Sequence, residues 1–280
     1  MKNIKLIFRI FLIYTKGVVE KMYGFKVDFD PEEIKALREA LNDMRDKVHA
    51  DIFVSDECEW CEATISMFKT ISENSPMRNG ENLFRFKVYK KGSDDSIIKR
   101  LGINRFPTIY FLDGSIRYYG IPAGEEIRAL VETIIRISQN DSGLEPDTIR
   151  RIKEFNSRAV IETIVTPSCP YCPYAVLLAN MVAFESYKAG KSNIISVVVE
   201  AYENMDIAEK YAVTSVPTIA INERVEFIGV PYEDQLLESI YRISAKKPAR
   251  IAPIKDQKAT EDSELKKLIK KVIEEIDKGG

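Results

Sequence analysis

Two Cys-x-x-Cys pairs, Cys58/Cys61 and Cys169/Cys172, stand at matching places in a repeated order of landmarks, and that repetition restricts the fold more than any other feature of the chain. The first pair is followed by Arg105-Phe106-Pro107-Thr108-Ile109, the second by Ser215-Val216-Pro217-Thr218-Ile219. Tyr119-Gly120-Ile121-Pro122 is then echoed by Ile228-Gly229-Val230-Pro231. Order and spacing agree to within a residue or two in both copies, so the sequence reads as one unit duplicated. A chain of 280 residues is about the length of two domains, and a hydrophobic fraction of 45% gives each a core.

The local patterns predict the same element order, α-β-α-β-α-β-β-α, in each copy. Asp30-Pro31-Glu32-Glu33 opens a helix, with Asp as the cap, Pro at the first helical position and the glutamates at the positive end of the dipole. Ile34, Leu37, Leu41 and Val48 continue at helical spacing, and Ile52-Phe53-Val54 reads as a buried strand ending before Cys58. Its counterpart runs from Val160 to Val165. Helices are expected after both cysteine pairs, ending near Asn74 and Gly190. Second strands are expected at Leu83 to Tyr89 and Ile194 to Val199, with short helices at Ile97 to Leu101 and Ile207 to Tyr211. Thr108 to Leu112 and Ser115 to Tyr119 flank Asp113-Gly114, a favoured hairpin turn; Thr218 to Ile221 and Val225 to Ile228 match them. Helices near 124–138 and 232–244 close the units. The expected fold is α/β, with two tandem units whose mixed central sheets are flanked by helices. The divisions are an N-terminal extension (1–27), a first unit (28–140), a second unit (141–246), and a linker with a C-terminal amphipathic helix (247–280).

Lys2, Lys5 and Arg9 punctuate an apolar stretch ending in Ile10 to Tyr14, which is shorter than the ~20 residues of a spanning helix. No small-residue cleavage site follows it. Met22 as the true start, a membrane-surface anchor and a plain extension are the three readings, and a cytoplasmic location is the expectation. At the other end Leu265, Leu268, Ile269, Val272, Ile273 and Ile276 form one apolar helical face, read as docking on its own protein or as an oligomer contact. A net charge of −2 gives no basis for a nucleic-acid partner. Glutamine occurs only at Gln139, Gln235 and Gln257 among plentiful Lys, Arg, Glu and Ile, a bias that suits a heat-adapted organism.

Four cysteines in two tight pairs point to redox chemistry or metal binding rather than a secreted disulfide framework. A thiol reacts as the thiolate. In each copy the first cysteine falls where a strand gives way to a helix, whose free N–H groups and dipole favour an anion. The second lies one turn on and deeper. Cys169 and Cys58 are thus the expected nucleophiles, with Cys172 and Cys61 the resolving thiols. Asp56, Glu57, Glu59 and Glu62 crowd Cys58 and disfavour its thiolate, whereas Cys169-Pro170-Tyr171-Cys172 has no adjacent acid. Cys169 is therefore expected to be the faster thiol, with Cys58/Cys61 as an electron relay or a degenerate copy. Phe106-Pro107 and Val216-Pro217 are candidates for cis bonds facing the cysteines, where a strand-like backbone edge would receive a peptide. With Pro170, Tyr171 and Trp60 they form the expected substrate contacts. Asp51 and Glu162, each seven residues before a nucleophile, are candidate proton acceptors or solvent-facing strand positions. His49, the single histidine, is given no catalytic role.

Val165-Thr166-Pro167-Ser168-Cys169-Pro170-Tyr171-Cys172-Pro173 strongly resembles the C-terminal active site of the archaeal protein disulfide oxidoreductases, or glutaredoxin-like proteins, and Arg117 to Gly124 resembles the segment that closes their first unit. The resemblance spans about Asp30 to Ala245. It implies tandem thioredoxin folds with fused sheets and disulfide reductase, oxidase and isomerase activities. It further implies unfolded or disulfide-containing proteins as substrates, electrons from a thioredoxin-reductase-type flavoprotein, and no cofactor beyond the redox-active disulfides. Cys58-Glu59-Trp60-Cys61 departs from the pattern in its acidity. Two rival classes remain: a structural protein holding zinc on four thiolates, and a redox-inactive holdase.

Overall fold

The computed structural model describes residues 29–245. The expectations for the N-terminal apolar stretch and for the C-terminal amphipathic helix lie outside the described residues.

Helix α1 (Pro31–Leu41) begins as its sequence dictates. Asp30 Oδ1 accepts the N–H groups of Glu32 and Glu33, each at 2.8 Å, and Glu33 returns a carboxylate oxygen to the Asp30 N–H. The helix stops at Leu41, and Val48, expected on its apolar face, instead opens strand β1 (Val48–Val54). The reason is distant in sequence: the Ser138 hydroxyl accepts the N–H groups of Arg45 and Asp46, and Val48 N–H donates to Leu83 O at 2.8 Å. The first half continues through α2 (Cys61–Glu73), a small hairpin of β2 (Met77–Arg78) and β3 (Glu81–Asn82), β4 (Phe84–Lys90), α3 (Asp95–Leu101), β5 (Thr108–Phe111), β6 (Ile116–Tyr119) and α4 (Glu126–Gln139). The second contains α5 (Pro146–Glu154), β7 (Ala159–Val165), α6 (Cys172–Lys188), β8 (Ile194–Glu200), α7 (Met205–Lys210), β9 (Thr218–Ile221), β10 (Arg224–Ile228) and α8 (Glu233–Ala245).

Eight strands form one sheet in the order β10-β9-β7-β8-β6-β5-β1-β4. Within each half the pattern is the same: β1 runs parallel to β4 and antiparallel to β5, and β7 runs parallel to β8 and antiparallel to β9. The halves are fused where β6 pairs in parallel with β8, from Ile116 beside Ser196 to Tyr119 beside Val199. Alternation then sorts the side chains. Ile52 and Val54 join the core cluster under α1, α2, α4 and the start of α6, while Phe53 joins Ile98, Ile103 and Tyr110 on the opposite face with α3. In the second half Ile161 packs under α6 and α8, and Ile164 packs with Ile207 of α7 and Tyr211 just past its end.

Two turns refine the expected hairpins. Asn222 and Glu223 both have positive φ, as a two-residue turn between twisted strands requires. The β5–β6 turn is longer than Asp113-Gly114, since Leu112 is also left-handed and β6 begins only at Ile116. A polar thread crosses the fused core. Asn180 Nδ2, on α6, donates to Tyr118 OH (2.9 Å) and Thr133 Oγ1 (3.1 Å), and Ser196 Oγ donates to Asn180 Oδ1 (2.8 Å). Asn180 is fully buried, so this thread satisfies groups that would otherwise be costly there.

Candidate active sites

Each cysteine pair is closed as a disulfide with its Cα atoms 5.5 Å apart. Cys61 is the first residue of α2 and Cys172 the first of α6; both helices lack a side-chain cap at Trp60 and Tyr171. At the second site the sulfur takes that place: Cys172 N–H points to Cys169 Sγ at 3.1 Å. A helix N-terminus presenting free N–H groups to a sulfur is the environment that favours a thiolate. The resolving cysteines are the deeper ones, Cys172 at 0% exposure and Cys61 at 3%. Cys169 is itself 6% exposed, whereas Cys58 is half-buried, so the first sulfur is the more open of the two.

Both proline loops lie where the repeat placed them. Phe106-Pro107 and Val216-Pro217 are cis. Val216 O is 3.7 Å from Cys169 Sγ, bringing a backbone acceptor to the reactive edge. In both halves the glycine after the following strand supports the loop, Gly120 N–H to Pro107 O at 3.0 Å and Gly229 N–H to Pro217 O at 2.8 Å. Phe106 and Val216 are half-buried beside their prolines, Trp60 is half-buried against the first core, and Pro170 and Tyr171 stand exposed beside Cys169. An open, mostly apolar cavity of about 740 Å³ adjoins the second site, lined by Thr166, Tyr202, Met205, Val213 and Val216 among others.

The charges around Cys58 are partly compensated. Lys90 reaches Asp56 (2.6 Å) and Lys91 reaches Glu57 (3.1 Å), leaving Glu59 and Glu62 as the acids without a basic partner described. Neither candidate proton acceptor from the strands faces a thiol. Asp51 accepts from His49 Nε2 at 3.0 Å on one face of β1. Glu162 shares the face of β7 that packs with α7, opposite α6, and accepts the Tyr211 hydroxyl. The zinc reading needs four thiolates to meet; each pair is instead closed within its own half.

Residues from each half also brace the other half's site, which the sequence does not reveal. Gly124 (φ +61) lies so close to the second site that an added Cβ would be 2.4 Å from Pro167 O, and Glu125 N–H donates to that same oxygen at 2.8 Å. At the first site Arg105, two residues before Pro107, pairs with Asp206 and Asn204, while Ile121 N–H donates to Glu203 Oε1 at 2.7 Å. Burial, with Glu200 and Glu59 nearby, pushes the Glu203 carboxyl up to about 8.

The Thioredoxin domain family matches residues 160–241. A thioredoxin from Methanocaldococcus jannaschii is 40% identical over 84 residues, 30% of this chain and 94% of the relative. The crystal structure of a protein disulfide oxidoreductase from Aeropyrum pernix is 47% identical with a TM-score of 0.77, over 81% of this chain and 97% of that one. The chain belongs to the protein disulfide oxidoreductase family. It is a thiol–disulfide oxidoreductase of tandem thioredoxin fold, as its duplicated Cys-x-x-Cys units predict. The tandem arrangement recurs in the NTD_N/C domain of alkylhydroperoxide reductase AhpF from Enterococcus faecalis, at 19% identity and a TM-score of 0.66 over 76% of this chain and all of that one, a likeness of fold. Among the described residues no helix is long and apolar enough to cross a membrane.

Proposed function

We propose that this protein disulfide oxidoreductase exchanges disulfides with unfolded or disulfide-containing proteins chiefly through its second site, Cys169 attacking and Cys172 resolving. The observation that carries the reading is Cys169 Sγ at the tip of α6, 3.1 Å from the Cys172 N–H and 3.7 Å from Val216 O. A substrate backbone laid along Val216-Pro217 would bring its own sulfur to Cys169, with apolar side chains received by Tyr171 and the open cavity beside Val216. Cys58 and Cys61 work by the same division of labour but more slowly, because Glu59 and Glu62 oppose a thiolate at Cys58, and they relay electrons. Both dithiols carry the electrons without a further cofactor. Electron supply by a thioredoxin-reductase-type flavoprotein is supported by the presence of this fold as a domain of a reductase. The place of action is the cytoplasm.

Dithiothreitol-driven insulin reduction by two paired variants tests the assignment. Cys169→Ser/Cys172→Ser is expected to lose most activity and Cys58→Ser/Cys61→Ser to retain most. Equal losses, or the reverse order, would overturn it.

A further inference from the structure

The proline loop of the first site is held from outside, and that of the second is not. Within each loop the bonds match. Thr108 Oγ1 donates to Arg105 O (2.9 Å) and Thr218 Oγ1 to Ser215 O (2.6 Å), while the Gly120 and Gly229 N–H groups reach back to Pro107 O and Pro217 O. The difference lies in residues 200–206, where the second half passes from β8 into α7. An added Cβ at Gly120 would stand 2.7 Å from Glu200 Cβ and Glu203 Oε1, whereas one at Gly229 would meet nothing within 4 Å among the described residues. Ile121 is accordingly 4% exposed and its counterpart Val230 43% exposed.

Arg105 makes the strongest tie. Its Nη1 donates to Asp206 Oδ1 (2.8 Å) and Asn204 Oδ1 (3.2 Å), and its Nη2 donates to Asp206 Oδ2, so the planar fork grips the carboxylate with both nitrogens. Asn204 is buried and its amide is fixed in orientation, because Nδ2 donates to Tyr119 O (3.1 Å) and to Glu200 O (3.0 Å). Tyr119 pairs across the sheet with Thr108, the residue after Pro107. Glu203 Oε1 accepts the Ile121 N–H at 2.7 Å. One segment of the second half thus holds the residue two before Pro107, the strand end opposite Thr108 and the turn beyond it. The second loop carries Ser215, short and exposed, in the place of Arg105.

We propose that Arg105 is a positioning residue for the first site: through Asp206 and Asn204 it fixes the Phe106-Pro107 backbone to receive a substrate backbone, so the second half of the chain completes the first half's peptide-binding edge. The proposal rests on the reading that Cys58 and Cys61 exchange disulfides by the same division of labour as Cys169 and Cys172. Strand-like docking needs several backbone donors and acceptors in register at once. An edge held in place beforehand spares the complex the entropy of ordering it. Asp206 neutralises the guanidinium, so an acidic substrate gains little from Arg105 directly. Its effect falls on the affinity for a polypeptide and not on the exchange between sulfurs.

Full-length protein carrying Cys169→Ser/Cys172→Ser retains only the first site. Its dithiothreitol-driven reduction of insulin, which offers a backbone, is compared with that of bis(2-hydroxyethyl) disulfide, which has none. Arg105→Met is expected to raise the KM for insulin about tenfold with kcat within about twofold, and to leave kcat/KM for the small disulfide within about twofold. Arg105→Lys, which keeps the charge without the fork, should recover part of the loss. Asp206→Asn should raise the insulin KM in the same way, and serves alone if Arg105→Met does not fold; the two changes together should do no more than Arg105→Met. An insulin KM within about twofold of the parent in Arg105→Met overturns the proposal. So does an equal loss on both disulfides, which marks damage to the site at large, and so does an unchanged KM in Asp206→Asn, which places Arg105 on the substrate itself. If the protein with only the first site reduces neither disulfide, the reading beneath the proposal fails, and amide hydrogen exchange at Phe106 and Thr108 decides the positioning. Exchange faster by about tenfold in Arg105→Met supports it, and unchanged exchange overturns it.

Discussion

Replacing Glu126 by Gln should make the oxidised protein more stable, and increasingly so as pH rises. Glu126 is fully buried, and burial moves it from an ordinary value of 4.5 to about 8. The unfolded chain releases this proton at about 4.5 and the folded chain only near 8, so between those values folding requires the carboxyl to take up a proton. A carboxyl raised in the folded state contributes fully below the unfolded value, and that contribution is lost as pH rises through the folded one. At about 1.4 kcal/mol per pKa unit, the loss reaches roughly 3 kcal/mol at pH 7 and levels off near 5 kcal/mol above pH 8. Gln has nearly the same shape and no proton to take up, so this slope should vanish. Guanidinium titrations of parent and variant at about pH 5, 7 and 9 measure it: the stability difference should grow in favour of Gln by about 2–5 kcal/mol from lowest to highest pH. Glu203, also raised to about 8, gives the parent and the variant the same additional slope and cancels in the difference. A difference that stays flat with pH would show that Glu126 ionises normally in the folded protein.

Three further outcomes follow from the geometry. Asn180→Leu removes a partner from each of Tyr118, Thr133 and Ser196 in a buried interface, so chemical denaturation should show a loss of about 2–4 kcal/mol. Gly124→Ala combines a left-handed backbone with a Cβ only 2.4 Å from Pro167 O; it should cost about 2 kcal/mol or more and shift the redox midpoint of Cys169/Cys172 while leaving that of Cys58/Cys61 in place. Glu59→Gln with Glu62→Gln should raise iodoacetamide labelling of reduced Cys58 at pH 7 about twofold per charge removed, with Cys169 labelling unchanged.

Much of the fold was readable because its signals are local and occur twice. The helix start at Asp30, the strands ending before each cysteine pair and the cis prolines all rest on residues adjacent in sequence. Errors appear where a distant partner decides. Val48 continues the spacing of α1, yet Ser138 and Leu83 pull it into β1. The small hairpin of β2 and β3 was overlooked despite Asn79-Gly80, a strong turn dipeptide whose two residues both have positive φ. Asn180 is the one polar residue in the run from Ala175 to Phe184, but its partners come from three other elements, which the run itself does not name. By position Glu126 is an ordinary acid in a first helical turn, where charge normally faces water and the dipole. Only the side-by-side packing of α4 on α6 turns it inward.

That packing makes the two halves unequal in a way duplication alone would not. The first half lends the second a buried acid and a braced loop at Pro167; the second lends the first Arg105's partners and the Glu203 contact to Ile121. The acids at Cys58 and the openness of that sulfur then pull in opposite directions, since access favours attack there and charge opposes it. Access changes an encounter by a modest factor, because Cys169, though 6% exposed, has an open cavity and the exposed Tyr171 at its side. Charge acts on the thiolate fraction itself: Glu59 and Glu62 stand beside Cys58, whereas Cys169 has no adjacent acid. Charge therefore outweighs access, so the second site's lead should be largest where the thiolate fraction limits attack and should shrink as pH rises and both first cysteines ionise.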